Sequence, residues 1–107
     1  MAVKRGEVYL VSLDPIVGHE VAKPRPCLVI SPDELNGRSA VFLAAPLTSQ
    51  HRPYPSRTDC EFRGQAGQVQ LDQIRTLSPL RIISKLGSLE ASQLLRVLDR
   101  LTEMFAP

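Results

Sequence analysis

The first half of the chain contains three short apolar runs, each bounded by polar or turn-forming residues. They are Glu7 to Leu13, Pro26 to Ile30, and Ala40 to Ala45, the last of which ends at Pro46. Runs of this length, rich in β-branched and aromatic residues, are typical of strands. Asn36-Gly37 lies between the second and third runs and predicts a tight turn there. This half of the chain is therefore predicted to form three strands.

The second half contains four more strand candidates and then changes its period. The candidates are Asp59 to Phe62, Gln68 to Leu71, Ile74 to Leu77 and Ile82 to Leu86. After them, apolar residues recur every three or four positions, the period of an amphipathic helix; these residues are Ala91, Leu94, Leu95, Leu98, Leu101 and Phe105. Ser88 is the predicted N-cap, and Glu90 is favourably placed in the first turn. The pattern predicts a terminal helix.

Five to seven short strands followed by one helix predict a small, β-barrel-like domain of the α+β class. A chain of 107 residues has the size of a single domain, 1–107, with one core. Its 43% hydrophobic and 22% charged content disfavours disorder. The net charge of +2 permits a nucleic-acid partner without requiring one. Because such barrels host many functions, the function has to be inferred from a site.

Cysteine usage and hydropathy limit the metal sites and the cellular compartment. Cys27 and Cys60 fall in predicted strands, and the sequence has no CxxC, no HExxH and no Cys/His cluster, so a zinc site is not expected. The N-terminal sequence lacks the apolar core of a signal peptide, and no apolar run approaches the ~20 residues of a membrane span. We therefore expect a cytoplasmic protein with reduced thiols that does not associate with membranes.

Residues with useful chemistry gather in two predicted loops and one predicted strand. They are His19, Glu20 and Arg25; then Thr48, Ser49, Gln50, His51, Arg52 and Tyr54; and, within LDQIRT, Asp72, Gln73 and Arg75. Arg25 lies between two prolines, which hold it in an extended stretch just before a strand. Each group also has an ordinary explanation, since loop histidines and arginines are often only solvated and LDQIRT alternates like any half-buried strand.

Four segments together resemble the MazF/PemK toxin family from end to end. They are RGEVYLVSLDPIVGHEVAKPRPCLVIS, AAPLTSQ, GQVQLDQIRTL and the closing helix, and they occur in the family's order. The resemblance implies a compact SH3-like barrel of the CcdB/PemK type with a C-terminal helix. It also implies a homodimeric endoribonuclease that cleaves single-stranded RNA, needs no metal or cofactor, and is inhibited by a cognate antitoxin with an acidic segment.

The resemblance also implies roles for individual residues. Arg25 matches the family's catalytic arginine and Thr48 its catalytic threonine. The residues expected to bind RNA are His19, Glu20, Ser31, Ser49, Gln50, His51, Arg52, Tyr54, Gln73 and Arg75. A guanidinium suits phosphate oxygens, and a threonine hydroxyl can donate to a phosphoryl oxygen or orient an attacking 2′-hydroxyl. Several family members carry a serine and then Glu-Gln where this chain has Gly18-His19-Glu20-Val21, so His19 is unusual there and the resemblance does not fix base recognition by the first loop.

Three other hypotheses remain open from the sequence. A related toxin of the same fold binds gyrase through the end of its terminal helix and cleaves nothing, but this chain shows no distinctive polar tip after Met104. A non-catalytic SH3-like binding module would leave the Arg25 and Thr48 motifs unexplained. In the third hypothesis, His19 and His51 act as acid and base, as in a pancreatic-type ribonuclease.

Overall fold

The computed structural model describes residues 2–13 and 23–107. Its strands are β1 (Glu7–Val11), β2 (Arg25–Val29), β3 (Phe42–Thr48), β4 (Arg57–Phe62), β5 (Gln65–Gln70), β6 (Arg75–Leu77) and β7 (Ile82–Ser88). Its helices are α1 (Asp33–Arg38) and α2 (Ala91–Met104), and single 3₁₀ turns cover Leu71–Gln73 and Pro79–Arg81. Seven short strands and one long C-terminal helix confirm the α+β class.

The strands form one antiparallel sheet in the order β4-β5-β3-β2-β1-β7, with β6 also paired to β3. Strand β3 holds this sheet together because it changes partners along its length. Its first part pairs with β2 and β6, and its end pairs with β5 through Leu47↔Val69 and Thr48↔Gln68. The prediction that this strand ends at Pro46 is wrong. Proline lacks an N–H donor, and Pro46 lies where β3 leaves β2 for β5, so the strand continues past it.

The sheet is curled but not closed, which modifies the expected barrel. Within the described residues, β4 and β7 are the two ends of the strand order and do not pair with each other. Side chains bridge the opening instead. The Phe62 ring lies against Gly87, and Gln93 of α2 exchanges two hydrogen bonds with the backbone of Glu61.

Apolar side chains pack on both faces of the curled sheet. One cluster, which includes Val8, Leu28 and Val69, packs against α2 through fully buried Val97. The other cluster, which includes Val29 and Phe42, fills the opposite face. Each cluster draws on strands distant in sequence, so the sheet is stabilised by long-range burial.

The terminal helix is confirmed, but its start and its buried stripe differ from the prediction. Strand β7 continues through Ser88, and the N-cap is Glu90, whose carboxylate accepts a hydrogen bond from Ser92 N. Val97 is the fully buried anchor, whereas Leu95 and Phe105 are 60% and 75% exposed. The apolar stripe is thus wider than the part that packs against the sheet.

The turn predicted at Asn36-Gly37 is a short helix instead. Asn36 is buried and donates from Nδ2 to the Ser31 carbonyl, while Ser31 Oγ donates to Asn36 Oδ1 at 2.6 Å. These hydrogen bonds tie α1 to the end of β2, so tertiary contacts override the local turn preference.

Two further observations concern the thiols and the helices. Cys27 and Cys60 are free and buried, and burial raises the pKa of Cys27 to about 12. Neither α1 nor α2 is long and apolar enough to cross a membrane, and the same holds for every helix in residues 2–13 and 23–107.

Candidate active site

A cleft of about 510 Å³ opens where the start of β2 meets the end of β3 and the β4–β5 hairpin. Arg25 and Thr48 both line it, so the structure brings together the two residues singled out as catalytic. Its other polar lining residues are Lys23, Ser49, Gln50, Gln65 and Gln70, and its apolar lining includes Leu47, Cys60 and Phe62.

Strand register explains why residues 23 positions apart in sequence share this cleft. In the β2–β3 ladder, Cys27 pairs with Pro46. This is the last pair of the ladder, because β3 then turns to pair with β5. Arg25 and Thr48 each lie two residues beyond it on their strands, and both line the cleft. The site therefore forms where β2 and β3 part.

The described part of the cleft carries positive charge. Lys23 and Arg25 are exposed and supply two positive charges, and no carboxylate is among the described residues that line it. The Arg25 guanidinium forms no ion pair with another residue of the ranges 2–13 and 23–107. Burial is the main cause of the raised pKa of the Cys27 thiol, and the positive charges of Arg75 and Arg25 act in the opposite direction.

Thr48 is held by its own backbone neighbourhood. The Gln50 N–H donates to Thr48 Oγ1 at 3.1 Å, which fixes the hydroxyl oxygen as an acceptor. A hydroxyl can accept and donate at once, so its proton remains available to an oxygen bound in the cleft. Arg25 and Thr48 together offer a fixed charge and a hydrogen-bond donor, the groups that stabilise a phosphate as it gains charge.

The rest of the second predicted loop faces a different cleft, of about 680 Å³, between that loop and α2. His51, Arg52 and Tyr54 line it, as do Arg96 and Arg100 of α2. The predicted RNA-binding residues of this loop are therefore divided: Ser49 and Gln50 accompany the catalytic pair, and the other three do not.

Arg57 has a structural role at the edge of this second cleft. Its Nε lies 3.3 Å from Asp72 Oδ1, its side chain is only 9% exposed, and its guanidinium stacks 5.1 Å from the centre of the Tyr54 ring. Burial raises the pKa of Asp72, but hydrogen bonds from its own backbone and from Arg57 outweigh that effect and lower it. Arg57 is thus engaged within the chain rather than free for a partner.

Three of the other predicted RNA-binding residues have locations that change their interpretation. Ser31 is 1% exposed and hydrogen-bonded to Asn36 and Leu43, so it is a core residue and not a ligand contact; that assignment is wrong. Gln73 and Arg75 do not share one strand, because Gln73 ends a 3₁₀ turn and Arg75 begins β6. Both are exposed and neither lines the two clefts.

The two histidines do not form a pair in the described part of the chain. His19 and Glu20 lie outside the described residues. His51 lines the second cleft, with Nδ1 3.7 Å from Asp59 Oδ1, and it is not among the residues that surround Arg25 and Thr48. Within residues 2–13 and 23–107, no three His, Cys, Asp or Glu side chains are grouped so that they could hold a metal ion.

Sequence reasoning missed three residues that shape this region. Lys23 adds the second positive charge of the cleft, and its place just before Pro24 and Arg25 was a visible signal. Gly67 and Gln68 lie on β5 beside Thr48, and only the strand register reveals them.

Comparisons with known proteins identify relatives over almost the whole chain. The family described as "PemK-like, MazF-like toxin of type II toxin-antitoxin system" matches residues 4–105. Endoribonuclease EndoA of Bacillus subtilis is 34% identical over 96 residues, which cover 84% of this chain and 83% of the relative. Endoribonuclease MazF of Staphylococcus epidermidis is 31% identical over 101 residues, which cover 89% of this chain and 84% of the relative.

Solved structures show the same fold. MazF of Deinococcus radiodurans superposes with a TM-score of 0.78 at 29% identity, covering 97% of this chain and 96% of that one. A mycobacterial endoribonuclease, solved in complex with its cognate antitoxin, gives a TM-score of 0.83 at 25% identity. The match covers 99% of this chain and 98% of that one. With its fold, its paired cleft residues and a family match over nearly its full length, the chain belongs to the PemK-like, MazF-like toxins of type II toxin–antitoxin systems.

Proposed function

We propose that this protein is the toxin of a type II toxin–antitoxin system and acts as an endoribonuclease on single-stranded RNA. The observation that carries the proposal is the joint placement of Arg25 and Thr48 on one cleft, whose described lining residues include two cations and no carboxylate. Single strands suit this site because their backbone can adopt in-line geometry and their unstacked bases can be read.

The proposed reaction uses the RNA's own 2′-hydroxyl as nucleophile. A bond forms between the 2′-oxygen and phosphorus, and the bond from phosphorus to the 5′-oxygen breaks. The 2′-oxygen loses a proton, and the 5′-oxygen gains one. The products are a 2′,3′-cyclic phosphate and a 5′-hydroxyl. Arg25 stabilises the charge on the phosphorane oxygens, and Thr48 donates to a phosphoryl oxygen or orients the 2′-hydroxyl. Arg25 remains protonated and is therefore not the base.

The test is cleavage of a defined single-stranded RNA in the presence of EDTA, with the same sequence as a duplex for comparison. We expect cleavage of the single strand at preferred sites, with cyclic phosphate ends and no need for added metal. Arg25→Ala and Thr48→Ala should abolish most of it. Arg38→Ala, an exposed arginine of α1 outside both clefts, is the matched control and should cleave normally. Equal activity in Arg25→Ala and Arg38→Ala would contradict the proposal.

We also propose a cognate antitoxin that covers the cleft with an acidic segment. Lys23 and Arg25 give such a segment two exposed cations, and Arg52 adds a third on the neighbouring loop. The mycobacterial relative was solved with its cognate antitoxin, which supports a partner of this kind. Both an RNA substrate and an antitoxin are consistent with a cytoplasmic protein.

A further inference from the structure

Two neighbouring residues of β5, Gly67 and Gln68, lie beside the segment that carries Thr48. Gln68 pairs directly with Thr48 in the β3–β5 ladder. Beyond Thr48 the chain leaves the ladder, and residues 49–56 contain no strand or helix. Whatever fixes Thr48, Ser49 and Gln50 in the cleft must therefore come from side chains and from close backbone contact.

Gly67 provides the close backbone contact. A Cβ atom placed on Gly67 would meet the Thr48 carbonyl oxygen at less than 3.0 Å, a distance that real Cβ atoms do not adopt. The obstacle is backbone and not the end of a flexible side chain, so any larger residue would have to displace Thr48 itself. The position of Thr48 thus depends on the absence of a side chain at residue 67.

Gln68 provides the side-chain contact. Its amide binds both backbone groups of Arg52: the Arg52 N–H donates to Gln68 Oε1 at 3.0 Å, and Gln68 Nε2 donates to the Arg52 carbonyl at 3.1 Å. Nε2 also donates to Asp59 Oδ1 at 3.0 Å. The side chain is almost fully buried, so water does not compete for these bonds.

We propose that Gly67 and Gln68 are positioning residues that fix the Thr48–Arg52 segment at the cleft. Gly67 sets where Thr48 lies, and Gln68 anchors the far end of the segment at Arg52. The inference rests on the proposed ribonuclease function for its catalytic consequence, although the anchoring itself can be measured without RNA. A displacement of about 1 Å in a group that aligns the reaction costs on the order of 10²-fold in rate.

The test compares two variants with matched controls. Gly67→Ala adds the obstructing Cβ, and Gln68→Met removes the amide at nearly constant volume. Gly37→Ala is the glycine control because an added Cβ there meets nothing within 4 Å. Gln93→Met is the glutamine control because Gln93 binds both backbone groups of Glu61 in the same manner, away from Thr48.

We expect kcat to fall by about 10- to 100-fold in Gly67→Ala and Gln68→Met, with a smaller change in KM, and to stay within about twofold in both controls. Gln93→Met removes two similar bonds at a more exposed place, so comparing the loss of thermal stability with the loss of cleavage rate in both variants separates destabilisation from positioning. In a Thr48→Ala background, Gly67→Ala should cost little further activity, because its effect acts through Thr48. A full additional loss in that background would overturn the proposal.

A second measurement, NMR of the ¹⁵N-labelled protein, follows the backbone amides of Gln50 and Arg52. Both resonances should shift in the two variants and stay unchanged in the controls, and hydrogen exchange of the Arg52 amide should accelerate at least tenfold in Gln68→Met. Unchanged amides would overturn the proposal whatever the cleavage rate. If the wild-type protein cleaves no RNA, the proposed function fails, while these amides still report whether Gly67 and Gln68 hold the segment.

Discussion

At the scale of single residues, the proposed chemistry rests on one arginine and one oriented hydroxyl. The Arg25 guanidinium has no ion-pair partner among residues 2–13 and 23–107, and the Thr48 oxygen accepts a hydrogen bond from the Gln50 N–H. A cation and a hydroxyl donor that line the same cleft suit the binding of an anion.

The arginine–threonine and histidine mechanisms predict opposite results at two positions. Arg25→Ala should reduce the cleavage rate by roughly 10²- to 10³-fold, the scale of losing a charge stabiliser. His51→Ala should have a modest effect, mainly on RNA binding, because His51 lines the other cleft. Cleavage rates of both variants decide between the two mechanisms, and thermal unfolding checks that both variants are folded. A normal rate in Arg25→Ala with an inactive His51→Ala would favour acid–base catalysis by histidine.

Glu7 should make folding stability depend on pH. Burial raises the pKa of Glu7, but hydrogen bonds from Lys85, Tyr9 and Lys4 outweigh it, so the folded-state pKa lies below the ordinary value. The stability that the ionised Glu7 contributes is fully present at a pH above the pKa of the unfolded state, about 4.3. It is lost as the pH falls through the pKa of the folded state. Glu7→Gln should lower the free energy of unfolding by on the order of 1–3 kcal/mol at pH 7 and by less near pH 3.

Urea unfolding of the wild-type protein and Glu7→Gln at both pH values measures this effect. Glu34→Gln is the control, because Glu34 is exposed on α1 and forms no ion pair within the described residues. A difference between wild type and Glu7→Gln that is the same at both pH values would rule out the ionised carboxylate as its source.

At the scale of elements, α2 uses only part of its apolar stripe to pack on the sheet. Val97 is fully buried and Leu95 is 60% exposed. Val97→Ala should therefore cost about 1.5 to 3 kcal/mol of unfolding free energy, and Leu95→Ala less than about 0.5 kcal/mol. Chemical denaturation of both variants is the measurement. Similar losses at the two positions would mean that Leu95 is covered in solution.

Periodicity predicted the elements well because it records which faces are buried. The seven strands and α2 all correspond to runs in the sequence, with shifted ends. The two failures have different causes. Asn36-Gly37 lies in a helix because buried Asn36 bonds to Ser31, five residues earlier. Pro46 stays within a strand because β5, distant in sequence, pairs with the residues after it, and no local pattern carries that information.

The site was predictable only in part for the same reason. Arg25 and Thr48 were found through motifs of the resemblance, which also suggested Ser31, and only the folded structure shows that Ser31 is buried. Gln68 resembles any half-buried strand residue in the sequence. Its role depends on which chain segment crosses above it, which only the folded arrangement defines.

At the scale of the whole molecule, exposed apolar residues point to association. Leu80 is 95% exposed, Ile83 53% and Phe105 75%. We expect a homodimer, so sedimentation at micromolar concentration should give about twice the chain mass of 11.8 kDa. A species with the mass of a single chain at that concentration would contradict this expectation.

Arg75 tests how far the RNA-binding surface extends beyond the cleft. Arg75 pairs with Ala44 and Ala44 pairs with Val29, two residues from Cys27, so the Arg75 side chain lies on the same face of the sheet as Cys27. Arg75→Ala should weaken RNA binding and reduce the slope of log K against log salt by about 0.7. Arg38→Ala, on α1, should leave that slope unchanged. The same slope in both variants would give Arg75 no part in RNA binding.

The path of β3 through the sheet has a consequence for synthesis of the protein on the ribosome. Thr48 gains its neighbour Gly67 only when β5 has joined the end of β3, and β1 gains its second partner only when β7 is present. A nascent chain that has exposed Arg25 and Thr48 but not residues 65–88 therefore has no assembled cleft. The proposed site is therefore complete only after most of the chain has been synthesised.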